Sequence, residues 1–242
     1  MRILALDSCS RAGGAAVVCD GRPMGSMTLD CGYTHSETLL VCADNLLSGL
    51  HMTLQDMDAI AVTVGPGSFT GIRIGLSTAK GLAMAAELPL LPVSSLLALS
   101  YNIPCFDGIV APCMDARRGQ VYNALFERGP QMRRLCEDRA LSADELTAEL
   151  AARGAPVIFV GDGAQLCYNT CRDILPCAIA PACQLHLQPA MAGAAAEQAY
   201  AAGETALVKH NEIMPVYLRL PQAERERLER ERKMEHETDH RK

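Results

Sequence analysis

Residues Ala59 to Ala86 read AIAVTVGPGSFTGIRIGLSTAKGLAMAA. The run opens on apolar, β-branched residues that predict a buried strand from Ile60 to Val64, followed by a glycine-rich turn and a helix beginning near Ser68 to Gly71. Gly65, Gly67 and Gly71 permit positive φ or close backbone approach, and Pro66 stiffens the turn between them. Ser68 and Thr70 can cap the free N–H groups of the first helical turn. A helix start of this kind can hold an anion. The spacing nevertheless departs from the familiar nucleotide loops: Gly67 and Gly71 are too far apart for a dinucleotide fingerprint, and no Gly-Lys-Ser/Thr ends a Walker-type loop.

The helix itself says more. Gly71, Gly75, Ala79, Ala83 and Ala86 recur at three- to four-residue spacing and form a smooth ridge. Gly75 and Gly81 each cost about 1 kcal/mol relative to alanine in a helix interior. A close-packed neighbour, either another helix or another chain, would offset that cost.

The rest of the chain sets bounds on this reading. With 242 residues there is room for one large domain or two small ones. Aromatic residues make up only 4% and tryptophan is absent, so the core is aliphatic and alanine-rich. No apolar run is long enough for a membrane span, and the N-terminus leads directly into a short strand, so a cytoplasmic location is expected. Eleven cysteines, an odd number without a C-x-x-C pair, fit a reducing compartment. The densest group, Cys167, Cys171, Cys177 and Cys183 with His186, is a candidate zinc site, but small apolar core residues explain it better. The net charge is −6, and the last 21 residues carry seven basic and seven acidic side chains, so the body holds the whole excess. Nucleic-acid binding by this chain alone is not expected, because neutralising phosphates needs a basic surface.

Three strands in a meander are predicted over residues 2–29, then a helix from about His35 to Leu50 capped by Thr34 or Ser36. Its apolar positions cover more than one face, as in a helix covered on two sides. A short strand and helix after Leu90 complete a first lobe, residues 1–104. Residues 105–220 read as a second, abbreviated lobe. It holds a hairpin across Arg117-Arg118-Gly119, a possible third strand from Gln131 to Arg139, and a capping-box helix at Ser142 and Glu145. A buried strand ending in Gly161-Asp162-Gly163, an alanine-rich helix from Ala190 to Ala202 and a last extended segment from Ile213 to Leu220 follow. Residues 221–242 form a charged tail, a potential docking arm.

The motifs ILALDSCS at the start, HSETLL, DAIAVTVGPGSFTGIRIGLSTAKGLA, PVSSLLAL, DARRGQVY, VGDGA and PVYLR together resemble the TsaB (also YeaZ) family, over residues 3–219. The two lobes resemble the α/β actin/sugar-kinase/Hsp70-like (ASKHA) fold, with mixed β-sheets flanked by helices. The resemblance implies a partner of TsaD, which transfers a threonylcarbamoyl group from its adenylate to the adenosine next to the tRNA anticodon. TsaD carries its metal on a His-x-x-x-His helix; here His35 is followed by Leu39. The implied protein is thus a non-catalytic paralogue, with no metal and no catalytic residue of its own. It would support recruitment of the ATPase TsaE, form a homodimer when alone, and meet tRNA only through the complex.

By the same resemblance, TsaD would dock on the two helices after His35 and after Gly71. The implied contact residues are Leu39, Leu40, Ala43, Leu46 and Leu47 on the first, and Gly71, Ile72, Gly75, Leu76, Ala79, Leu82 and Ala83 on the second. Asp7, Ser8, Gly65, Gly67, Ser68 and Asp162 are candidates for a vestigial nucleotide site, with weak ATP or ADP binding in the complex and no cofactor required by this chain. The alternative is an ATP-dependent small-molecule kinase or ATPase of the same superfold, working through Asp7, the Gly65 turn and Asp162.

Overall fold

The computed structural model describes residues 1–129 and 132–219, so the charged tail expected at 221–242 lies outside the described residues. The first lobe begins with the expected meander: β1 (Arg2–Asp7), β2 (Gly13–Cys19) and β3 (Arg22–Leu29), each antiparallel to the last. The β2–β3 turn places Asp20 and Gly21 at φ +48 and +73, the primed-turn geometry whose twist matches a hairpin. Helix α1 (His35–Gly49) follows, opened by a capping box between Thr34 and Glu37. Then come β4 (Ala59–Gly65), α2 (Phe69–Ala86), β5 (Leu90–Ser94) and α3 (Ser95–Ser100).

The sheet order is β3-β2-β1-β4-β5, with β4 parallel to both neighbours. Every residue of β4 is buried, which explains its continuous apolar run: helices cover both faces of the sheet. Ala5 of β1 pairs with Ala61 of β4, so Val62 projects from the opposite face. Gly75 of α2 lies against Val62, while Gly193 of a later helix lies against Ala5 and Val18.

The second lobe contains β6 (Ile109–Asp115), β7 (Gln120–Asn123), β8 (Phe126–Arg128), β9 (Met132–Arg134), β10 (Arg139–Ser142), α4 (Ala143–Arg153), β11 (Val157–Val160), α5 (Ala164–Cys171) and β12 (Cys177–Ile179). Its main path runs β10-β7-β6-β11-β12, with β8 pairing β6 and β9. The single third strand expected near 131–139 is replaced by two short ones, β9 on β8 and β10 on β7. Ser142 and Glu145 do form the capping box of α4. A separate core centred on Phe159, Leu146 and Leu150 holds this lobe.

Helix α6 (Pro189–Ala201) corrects the expected partition. The reading placed it in the second lobe, yet it packs on β1, β2 and α3 of the first. Val208 then pairs with Leu90 of β5. The reason is steric: an alanine- and glycine-rich helix can approach a sheet closely, and the inner face of β1 and β2 is itself small, with Ala5 and Ala16 side by side. The result is an α/β, two-lobed actin/sugar-kinase/Hsp70-like fold in which residues 189–208 return to the first lobe.

Candidate functional site: the interlobe cleft and the two-helix face

A cleft of about 540 Å³ lies between the lobes. Its first-lobe wall is the β1–β2 turn at Cys9, Ser10 and Arg11 and the turn from Pro66 to Thr70; its second-lobe wall is Met114 to Arg117, Tyr122 and Asp162. Of the six candidate nucleotide residues, Gly67, Ser68 and Asp162 reach this cleft. Ser68 caps α2 as expected, accepting from the Gly71 N–H at 3.2 Å. Asp162 accepts from the Asp115 N–H at 2.9 Å, so it ties β6 to the Gly161 turn.

Asp7, Ser8 and Gly65 sit elsewhere, which corrects their assignment. Asp7 is fully buried behind the cleft. Its Oδ1 accepts from the Thr63 hydroxyl at 2.7 Å and from the Cys9 N–H at 3.2 Å, while its Oδ2 has no partner among the described residues. Burial pushes its carboxyl above the usual carboxylate range, partly opposed by the Thr63 hydrogen bond. The Ser8 hydroxyl donates to the Gly71 carbonyl at 2.9 Å. Gly65 holds φ +116, and a Cβ there would come 2.5 Å from the carbonyl oxygen of Val216. All three turn toward the inside of the chain and none lines the cleft, so with Asp7 Oδ2 buried and unpaired they do not form a nucleotide cradle there.

The docking residues divide in a similar way. The small-residue ridge of α2 faces the chain's own sheet: Gly71, Gly75, Ala79 and Ala83 are buried, as are the implied contacts Ile72 and Leu76 beside them, and Ala86 is half-buried. A Cβ at Gly71 would come 2.0 Å from the Ser8 carbonyl oxygen, and one at Gly75 would come 2.4 Å from the Ser8 hydroxyl. The neighbour that offsets the glycine cost is therefore this chain's first lobe. Leu39, Ala43 and Leu47 of α1 are likewise buried, against β2, β3 and α2. Periodicity in a single helix shows that a smooth side exists but not which neighbour fills it.

What the two helices present outward is a different set. Leu40 (53%), Val41 (50%) and Met84 (64%) are exposed aliphatic side chains, whereas Leu46, Ile74 and Leu82 are half-buried and pack against the core, Leu46 over Gly25 of β3. A groove of about 350 Å³ runs along this face, with Leu40, Ala43 and Leu47 on one wall and Leu82 on the other. Gly81 also lies on the outer side, where an added Cβ would meet nothing within 4 Å. His35 at the start of α1 bonds the Ser10 carbonyl through Nε2 at 2.8 Å.

The cysteine group is dispersed. Cys167 and Cys171 are buried in the second-lobe core and Cys183 is exposed, and among the described residues no three His, Cys, Asp or Glu side chains gather as a metal site. No helix among the described residues is long and apolar enough to cross a membrane.

Comparison with known proteins now bears on this geometry. Residues 30–227 match the family described as TsaD, tRNA N6-adenosine threonylcarbamoyltransferase. The chain is 32% identical over 232 residues to the tRNA threonylcarbamoyladenosine biosynthesis protein TsaB of Bacillus subtilis, covering 95% of this chain and 99% of that one. The Escherichia coli protein of the same name is 38% identical over 130 residues, 53% of this chain and 56% of that one. Among solved structures, YeaZ from Pseudomonas aeruginosa superimposes with a TM-score of 0.73 at 28% identity, covering 90% of this chain and 99% of that one. With a full-length TsaB relative above 30% identity, and a YeaZ structure sharing both lobes, the chain belongs to the TsaB (YeaZ) family.

Proposed function

We propose that this chain is a non-catalytic subunit in the synthesis of threonylcarbamoyladenosine in tRNA, pairing with a TsaD-type transferase through the outer face of α1 and α2. The observation that carries the reading is the exposure of Leu40, Val41 and Met84 as an aliphatic strip on the outer sides of the two helices, together with the groove between Leu40 and Leu82 and the uncovered Gly81. Exposed aliphatic anchors on adjacent helices are what a helix-to-helix interface needs at its centre. Leucine at position 39, where the transferase helix would carry its second metal-binding histidine, supports assigning the chemistry to the partner. In the same reading the chain works in the cytoplasm, supports a TsaE-type ATPase, and meets tRNA only in the assembly. It requires no cofactor of its own, and nucleotide contact belongs to the assembled complex. Left alone, the same strip would close on its copy as a two-fold dimer.

Light scattering after size-exclusion chromatography tests this, on the chain alone and mixed with its cognate transferase. Leu40→Arg and Met84→Arg alter exposed positions and should abolish pairing while thermal stability stays within about 0.5 kcal/mol. If either variant still co-elutes with the transferase, the surface is wrong; if the isolated chain forms threonylcarbamoyladenosine, the non-catalytic assignment is wrong.

A further inference from the structure

We infer that residues 215–219, PVYLR, are a strap seated in the interlobe cleft as its built-in occupant, and that Arg73 is the latch that keeps it there. The seat starts at an irregularity in the first sheet. The β4–β5 register shifts between Thr63 and Gly65, which takes Val64 out of the ladder. Val64 is nonetheless buried, and its carbonyl accepts the Val216 N–H at 2.8 Å. A buried carbonyl left unpaired is costly, so this bond gives the segment a specific anchor. The Val216 carbonyl in turn lies over Gly65, in the space any side chain at that position would fill.

The next contacts fix the side chains. The Tyr217 ring packs on Phe69 at 4.9 Å between centroids, and its hydroxyl accepts from Arg73 Nε at 3.0 Å. The Arg73 guanidinium stacks over Phe69 at 3.8 Å, so one arginine on α2 grips both rings of the pair. Arg219 then crosses to the second lobe and donates from Nη1 to the Ala116 carbonyl. The segment thus bonds β4 and α2 on one side and the β6–β7 hairpin on the other. Val216 and Leu218 line both the interlobe cleft and a second hollow of about 910 Å³ bounded by Ser94, Arg134 and Asp138. The strap partitions what would be one opening between the lobes into two. Any ligand reaching across that opening has to displace it.

Hydrogen–deuterium exchange on the full chain, read at the Val216 amide in the 212–219 peptide, tests the proposal, with Arg73→Ala and Tyr217→Ala as comparisons. Arg73 is exposed and Tyr217 is 37% exposed, so neither replacement opens a core, and unchanged exchange in α6 peptides reports an intact fold. Slow exchange is expected in the natural chain, rising about tenfold or more in Tyr217→Ala, which loses the aromatic pair and the hydrogen bond to Arg73, and about fivefold in Arg73→Ala, which loses that hydrogen bond and the cation–π contact. Val216 exchanging as fast as an open chain, or equally in all three proteins, overturns the seat or the latch respectively. Because the chain has no tryptophan, Tyr217→Trp supplies a single tryptophan, excited selectively beyond the tyrosine absorption band, for a second readout. Acrylamide should quench it several-fold more efficiently when Arg73→Ala is added, and equal quenching would contradict the latch.

Discussion

Two glycines of the same helix should respond to alanine in opposite directions. At Gly71 the new Cβ would sit 2.0 Å from the carbonyl oxygen of Ser8, a backbone atom in the tight turn after β1. That atom lacks the freedom of a side-chain end, so the first turn of α2 has to lift away. The move also loosens the bond from the Ser8 hydroxyl to the Gly71 carbonyl, worth about 1 kcal/mol. Overpacking of this kind costs about 1–3 kcal/mol, set against at most about 1 kcal/mol of gained helix propensity. With both losses and the gain counted, Gly71→Ala should destabilise by about 2 kcal/mol and lower Tm by roughly 4–8 °C for a chain this size. At Gly81 an added Cβ meets nothing within 4 Å. Only the propensity term remains there, so Gly81→Ala should gain up to about 1 kcal/mol and raise Tm by roughly 2–4 °C. Urea unfolding followed by circular dichroism, with equal m-values as the check on two-state behaviour, measures both. Gly71→Ala at or above wild-type stability, or both variants moving the same way, would refute the assignment of the inner and outer sides of α2.

Other consequences can be measured on the same protein. Ala79 is fully buried, so Ala79→Arg places an unpaired charge in the first-lobe core and should cost about 3–5 kcal/mol in the unpartnered chain, read by the same urea titration. Asp7 has a folded pKa raised above its unfolded value, so it favours folding below the unfolded carboxylate pKa of about 3.9 and loses that contribution as pH rises through the raised folded value. Asp7→Asn keeps an acceptor for Thr63 but removes the charge, so its stability relative to the natural chain should grow as pH climbs through that window. A constant difference at all pH values would show that folding leaves the Asp7 carboxyl pKa unshifted. Cys31, Cys105 and Cys183 are exposed, whereas Cys113 and Cys171 are buried with thiol pKa values pushed up by desolvation. Mild alkylation read by peptide mass spectrometry should therefore label the first three in the native chain and reach the other two only in denaturant.

Much of the architecture was legible from local chemistry. The Asp20-Gly21 turn, the Ser68 and Ser142 caps and the apolar run of β4 each carry their own signal within a few residues. What escaped were questions about which partner a residue faces. The Gly71-Gly75-Ala79 ridge predicts close packing but fits a sheet as well as a second helix, and the deciding atom, the Ser8 carbonyl, is far away in sequence. Gly65 looked like part of an anion-holding turn, because nothing local indicates that Val216 approaches it. Asp7 at a strand end gave no sign that its carboxylate turns inward to Thr63. The outer face was only partly seen for a related reason: Leu40 was among the implied contacts, but Val41 and Met84 sit among other apolar residues, and composition alone does not separate the buried from the exposed.

The return of α6 to the first sheet has a bearing on synthesis. The second lobe, from β6 to β12, is an insertion inside a first lobe whose covering helix is made last. While the chain emerges, β1, β2 and β4 exist for more than a hundred residues with the Ala5–Val18 face of their sheet bare. The inserted lobe can complete its own core around Phe159 in that interval, since its strands and helices are contiguous in sequence. The first lobe instead closes only after Pro189–Ala201 leaves the ribosome, through contacts of very long sequence separation that slow folding. The folding order this topology predicts is therefore inside out, the middle before the ends, with the exposed sheet face the surface a nascent-chain chaperone would find to shield.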